Sequence, residues 1–306
     1  MIIPLLLFAV GLVLLLKGAD ITVEGARGLA SRFGISPEFI GLTVVAFGTS
    51  LPELVVTSEA FSGGNFGIGM GNIIGSNIAN IALILGLFAL LQPGSAGIYS
   101  RQRGSLQHIF LMLLATGFFI LLAWRGIYDI FSGIVMLALF AAILVMLWRT
   151  GNIMEMSSPE HSRYPLLFTI AGIAAVIIGA HLLLIGVVEI AEIFSIPPVV
   201  IGLSMVAIGT SLPELATSIV AAYRNSPGIA VGNILGSNIF NLLFILGLNA
   251  LFIPISSPDP ESIGLLLVFT VAILPLFSGR RMVTRIWGGL LVCGYLVYII
   301  SLYWLF

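Results

Sequence analysis

The chain has 306 residues, of which 59% are hydrophobic and 8% charged, with a formal net charge of −1. Soluble domains carry roughly 25% charged residues, so this composition excludes a soluble enzyme or a nucleic-acid-binding module and points to an integral membrane protein. The single cysteine, Cys293, excludes a disulfide framework and a cysteine-based metal centre.

Apolar runs of about 20 residues, the length a helix needs to cross hydrocarbon, recur along the whole chain. Helices rather than a barrel satisfy their backbones in lipid. The first run, 2–30, has no basic leader and no small-residue cleavage site, and it continues into Lys17 and Asp20, so it reads as a retained helix. Those two charges, three apart, read as a pair snorkelling near a helix end. The second run, 36–61, holds GTSLPEL at Gly48 to Leu54 and ends near Glu59, which reads as a helix-end residue. The third, 66–92, carries Asn72, Ser76 and Asn80 at steps of four, beside Gly71 and Gly75. Runs at 105–124 and 127–148 follow, and then the polar linker 149–164. The remaining runs lie near 165–192, 197–223, 228–253, 262–279 and 284–305. His181 reads as a core or interfacial histidine, and Cys293 as a packing residue of the last helix.

The two halves, 1–148 and 165–306, repeat with an offset of 161 residues: Ile35 to Leu54 matches Ile196 to Leu215 at 14 of 20 positions, and Gly71 to Leu90 matches Gly232 to Leu251 at 14 of 20. An odd number of spans per half makes the second copy enter the membrane inverted, a plan that puts a binding site at the repeat interface near the midplane. Arg27, Arg32, Arg101, Arg103, Arg149, Arg163, Arg224, Arg280, Arg281 and Arg285 fall on one side of this ten-span plan, against Arg125 alone on the other. The positive-inside rule then predicts a multi-pass protein of the cell membrane with both termini outside. Glu189, Glu192, Asp259 and Glu261 share that outer side.

A carboxylate inside an apolar run costs several kcal/mol, about, and GTSLPEL supplies one in each half, Glu53 and Glu214. Pro52 and Pro213 lack an amide proton and clash with the carbonyl four residues earlier, so both helices should kink or open over the preceding GTS. Carbonyls freed near Ala46 to Thr49 and Ala207 to Thr210 then need a partner, and a hard cation accepts this mixture of carboxylate and carbonyl oxygen. Thr49 and Ser50 share a helical face with Glu53, and Thr210 and Ser211 with Glu214. Asn233, Ser237 and Asn241 repeat the ladder of the third span, and the glycines beside both ladders should let the broken helices approach closely. Any one of these small polar residues reads more readily as glue between helices than as a ligand. The matched set of two Glu, two Pro and two Asn/Ser/Asn ladders favours an ion site.

GTSLPEL followed by GNIIGSNIAN, and GTSLPEL followed by GNILGSNIFN, resemble the two alpha repeats of the sodium/calcium exchanger family, in its compact prokaryotic form. The resemblance implies an all-α membrane antiporter of ten helices in two inverted five-helix halves. Broken second, third, seventh and eighth helices would form the ion core, across which the first and sixth slide. It further implies that Glu53 and Glu214 hold Ca²⁺ with the carbonyls of Thr49 and Thr210. Na⁺ sites would use Ser50 and Ser76 on one side and Ser211 and Ser237 on the other, with the carbonyls of Ala46 and Ala207. Asn80 and Asn241 would occupy the middle positions. Some members have Asp at one middle position, and Asn at both argues against a potassium-dependent cycle.

The expected function is therefore electrogenic exchange of Na⁺ for Ca²⁺ by alternating access, with no enzyme activity, no cofactor and no obligate protein partner beyond the bilayer and the transported ions. A Ca²⁺/H⁺ antiporter on the same fold is the near alternative, against which the doubled Ser and Thr oxygens weigh. A passive channel needs a continuous pore. An intramembrane hydrolase using Ser50 or Ser211 lacks a histidine beside either motif.

Overall fold

A computed structural model describes residues 2–92, 105–150, 164–194, 209–277 and 281–304. Helix α1, Ile2–Phe33, stops at Gly34, whose φ of 64° is the left-handed conformation that ends helices. The Ser36 hydroxyl accepts the Phe39 amide at 3.2 Å and Pro37 fills the first turn, so α2, Pro37–Thr49, starts on a standard cap. Within α2 the turns over Gly41–Val45 are π-helical. Helix α3, Leu51–Ser62, then departs from α2 at 45°, with Pro52 in its first turn. The second predicted span is thus bent where proline demands it.

Helix α4, Phe66–Leu91, runs on through π turns at Ala79–Leu85, and α5, Ser105–Ala123, and α6, Ile130–Thr150, complete the first half. The second half holds α7, Pro165–Ile193; α8, Leu212–Tyr223; α9, Pro227–Ala250, with π turns at Phe240–Ile245; α10, Pro260–Val271; and α11, Arg281–Trp304. The breaks expected in the third and eighth spans therefore take the form of π turns inside continuous helices, since no proline there removes a donor. Among the described residues seven helices are long and apolar enough to cross a membrane, eight with α2 and α3 taken together. The start of the expected seventh span and most of the linker lie outside the described residues, as do Arg101, Arg103, Arg163 and Arg280. The expected ninth span is the shorter α10 followed by a 3₁₀ turn at Leu274–Phe277.

Burial separates the helices into a centre and a periphery. The most apolar windows of α4 and α9 are 83% and 94% buried, those of α1, α6 and α7 only 28%, so α4 and α9 are the core and the others face lipid. Cys293 is exposed on α11, not packed inward as expected from the sequence.

Helices α1 and α7 pack antiparallel along glycines spaced by seven: Gly11, Gly18 and Gly25 on one, Gly172, Gly179 and Gly186 on the other. A Cβ on Gly11 would stand 2.3 Å from the Leu183 nitrogen, and one on Gly179 would stand 2.4 Å from the Leu15 nitrogen, so the two backbones touch. A two-residue antiparallel pairing of β1, Ile127–Tyr128, with β2, Ile255–Ser256, ties the connection after α5 to the one after α9. Those connections share one face of the protein, and the Arg125–Asp129 ion pair lies beside them.

Candidate ion-binding site

The bend in the second span is a single residue wide. Ser50 has φ −87° and ψ 9°, and its repeat counterpart Ser211 has φ −85° and ψ 3°, so both halves leave helical geometry at the same point. Each proline occupies the first turn of the following helix, where its missing donor costs nothing. Glu53 and Glu214 therefore sit in the first turns of α3 and α8, at helix N-termini, which favour negative charge. Both are buried, at 1% and 0% exposure, and no ion pair of the described residues involves either one.

Hydrogen bonds cross between the halves with matched partners. Thr49 Oγ1 donates to Asn233 Oδ1 at 3.1 Å, and Thr210 Oγ1 donates to Asn72 Oδ1 at 3.2 Å. The amide of Asn72 donates to Thr57 Oγ1 at 2.9 Å and to the Glu53 carbonyl at 3.3 Å; that of Asn233 donates to Ser218 Oγ at 3.0 Å and to the Glu214 carbonyl at 3.4 Å. Every one of these residues is 161 from its counterpart. Asn72 and Asn233 thus fix the glutamate-bearing turns while gripping the threonine of the other half.

The carboxylates themselves break the symmetry. Ser50 Oγ donates to Glu214 Oε1 at 2.8 Å, and Ser237 Oγ reaches the same oxygen at 3.4 Å. The counterpart hydroxyl, Ser211 Oγ, has no partner, and Ser76 Oγ lies 3.4 Å from Thr210 Oγ1. Ser50 and Ser237 thus meet on Glu214 Oε1, the Ser50 hydroxyl reaching across from the bend of the first half. The Ala46 carbonyl already accepts the Ser50 amide at 3.1 Å and the Thr49 hydroxyl at 3.4 Å, so the proline does not leave it orphaned. Ala207 lies outside the described residues, as do the residues at the repeat offset that would face Gly71 and Gly75. In the second half the expected close approach is present: a Cβ on Gly236 would meet the Leu42 carbonyl at 2.3 Å.

Five site residues carry buried oxygens without a partner: Glu53 Oε2, Glu214 Oε2, Asn80 Oδ1, Asn241 Oδ1 and Ser211 Oγ; Asn77 Oδ1, Thr217 Oγ1 and Thr270 Oγ1 are also unpartnered, and Asn80 Nδ2 donates to Asn238 Oδ1 at 3.4 Å. A buried polar group left unpaired costs about 1–3 kcal/mol, and an uncompensated charge more. Two carboxylates and several neutral oxygens, with no nitrogen or sulfur ligand, suit hard cations such as Na⁺ and Ca²⁺. Among the described residues no cluster of three His, Cys, Asp or Glu side chains exists.

Other charged residues fall elsewhere. Lys17 is exposed, and Asp20 pairs with Arg224, at the end of α8, rather than with Lys17. Glu59 is exposed in the last turn of α3, as expected. His181 is exposed and lines a cavity between α3 and α7.

A helical membrane protein whose buried core presents two carboxylates and unpaired oxygens from two related halves is a transporter for cations. The chain belongs to the sodium/calcium exchanger family: the family described as "Sodium/calcium exchanger protein" matches residues 3–149 and 164–304. It is 30% identical to the sodium/calcium exchanger MaX1 of Methanosarcina acetivorans, over 98% of each chain. It is 35% identical to the inner membrane protein YrbG of Escherichia coli, covering 100% of this chain and 98% of that one. The sodium-calcium exchanger NCX_Mj has the same fold, with a TM-score of 0.83 at 33% identity over 98% of this chain and 99% of the other.

Proposed function

We propose that this chain exchanges Na⁺ for Ca²⁺ across the membrane by alternating access. The observation that carries this reading is the set of unpartnered oxygens on Glu53, Glu214, Asn80, Asn241 and Ser211, buried where the two halves meet. The arrangement is ten helices in two inverted halves, 1–148 and 165–306, joined by a cytoplasmic linker at 149–164, with both termini outside. Helices α2, α3, α4, α8 and α9 form the core, and α1 with α7 moves across it. The identity with MaX1 and with NCX_Mj, whose structures were soaked with Na⁺, Ca²⁺ or Sr²⁺, supports these ions as cargo.

Glu53 and Glu214 hold Ca²⁺, with the carbonyls of Thr49 and Thr210 completing its shell. Na⁺ occupies flanking positions served by Ser50, Ser76, Ser211, Ser237 and the carbonyls of Ala46 and Ala207; Asn80 and Asn241 line the middle. Two carboxylates carry a charge of about −2, which one Ca²⁺ neutralises, so Na⁺ takes the shared oxygens only after Ca²⁺ leaves. That competition is the coupling. Three Na⁺ per Ca²⁺ moves one net charge per cycle, worth about 2.3 kcal/mol per 100 mV.

The test is ⁴⁵Ca²⁺ uptake into proteoliposomes driven by an outward Na⁺ gradient, compared with a pH gradient, with and without K⁺. Uptake driven by Na⁺, sensitive to membrane potential and indifferent to K⁺ is expected, and Glu53→Gln or Glu214→Gln should abolish it. Uptake that follows pH and ignores Na⁺ would replace Na⁺ by H⁺ as the coupling ion.

A further inference from the structure

The two halves do not meet their peripheral helices in the same way. On one side α1 lies closed against α8: Leu15 and Ala19 share one buried cluster with Ala216 of α8 and with Val176 and Ala180 of α7, and Leu212 and Val220 pack around it. On the other, the corresponding surfaces of α7 and α3 stand apart and leave a cavity of about 530 Å³ between Pro52 and Val56 on α3 and Ala180 and His181 on α7, reaching Thr210 of the ion site. The repeat offset relates these places, since Val55, which faces the cavity, stands 161 residues before Ala216, which lies in the shut seam. One of two equivalent seams is shut and the other open.

The shut seam carries an ion pair. Arg224 Nε and Nη2 each stand 2.6 Å from an oxygen of Asp20, a bidentate contact between the middle of α1 and the end of α8. Its counterpart on the open seam does not exist in the sequence. The position 161 after Asp20 is His181, and the position 161 before Arg224 is Gly63, which has no side chain. The α3–α7 seam therefore closes without an equivalent bond.

We propose that Asp20 and Arg224 form a one-sided latch that weights the exchanger toward the state in which α1 is closed on α8 and the α3–α7 cavity is open. The inference rests on the alternating-access reading above, in which the two halves exchange roles, so that closing the open seam must part α1 from α8. A contact made in one state and absent from the other shifts their ratio by its own free energy. With side-chain exposures of 56% for Arg224 and 28% for Asp20, the pair lies in the range of exposed ion pairs, and the shift expected is about two- to five-fold. That is enough to change the apparent ion affinity on each face without touching a ligand.

The test reads the conformation directly. In a Cys293→Ser background, Val56→Cys places a thiol in the open cavity and Ala216→Cys places one in the shut seam, and labelling by a hydrophilic maleimide is timed in the full-length protein without Na⁺ or Ca²⁺. Asp20→Asn and Arg224→Gln should each slow labelling at position 56 by about two- to five-fold and speed it at position 216. The swap of Asp20→Arg with Arg224→Asp should restore both rates. Unchanged rates in the single variants overturn the latch, and so does a change that the swap leaves uncorrected. Labelling needs no ion, so a normal labelling shift beside absent Na⁺-driven uptake would count against the exchange reading and leave the latch standing.

Discussion

Ser50 Oγ donates to Glu214 Oε1 at 2.8 Å, so the bend of the first half closes onto the carboxylate of the second. Its counterpart, Ser211 Oγ, has no partner, which makes the two glutamates inequivalent in the ion-free site. A hydrogen bond to a charged group contributes about 1.5–3 kcal/mol. Ser50→Ala is expected to lower the thermal midpoint in detergent without Na⁺ or Ca²⁺, whereas Ser211→Ala leaves it nearly unchanged. Saturating Ca²⁺ should narrow the gap, because the ion then compensates Glu214. Equal midpoints for the two variants under chelation would contradict the asymmetry.

Asn72 and Asn233 each join three groups, and each accepts from the threonine of the opposite half. Truncation removes these side-chain bonds, at about 0.5–1.5 kcal/mol each, while the Thr49 hydroxyl keeps the Val45 carbonyl at 3.1 Å and Thr210 keeps Ser76 at 3.4 Å. Asn72→Ala and Asn233→Ala should therefore destabilise the protein by similar amounts, read as matched losses in chemical or thermal unfolding. An effect confined to one of them would show that the two braces do not work as a pair.

The glutamates, the prolines and the doubling were legible because each is a local violation: a charge in an apolar run, or a helix residue without a donor. The bend at Ser50 followed from Pro52 by the same logic. The partners were not legible. Periodicity says which residues share a face of one helix, and the pairing of Ser50 with Ser76, which lie on different helices, is what the family resemblance implies; neither says which hydroxyl of the other half Ser50 meets. The π turns in α4 and α9 replace expected breaks because no proline or charge marks them. Asp20 was read with Lys17, three residues away, while its partner Arg224 lies 204 residues on. The glycines at 11, 18 and 25, and again at 172, 179 and 186, were a regular signal in the sequence that could have identified the α1–α7 seam.

That seam gives a sharp packing test. A methyl on Gly179 would fall 2.4 Å from the Leu15 nitrogen, a backbone atom that cannot move aside alone, whereas one on Gly294 would meet Phe269 at an ordinary 3.4 Å. Overpacking of this kind costs about 1–3 kcal/mol. Gly179→Ala is expected to lower the thermal midpoint and the yield of monodisperse protein, and Gly294→Ala to leave both near the parent. A Gly179→Ala variant that melts like the parent would mean that α1 and α7 are not held in backbone contact.

Asp129, in the connection between α5 and α6, lies outside the membrane-spanning segments and offers a pH test separate from the ion site. The Ser132 amide donates to its carboxylate at 3.0 Å, and Arg125 adds two further bonds at 3.2 and 3.0 Å. These partners, the Ser132 amide first, hold the carboxyl down at about 2, against the opposing effect of desolvation. A carboxyl depressed in the folded state stabilises the fold above its unfolded pKa of about 3.9, and that contribution is lost as pH falls toward the folded value. The parent should therefore lose thermal stability more steeply between about pH 4 and pH 2 than Asp129→Asn, which has no proton to take up there. Melting curves in detergent at pH 5, 3 and 2 make the comparison. Parallel curves for the two proteins would show that Asp129 is not the group responsible, and Na⁺-driven uptake at pH 7 should be the same in both, since the connection touches none of the site oxygens.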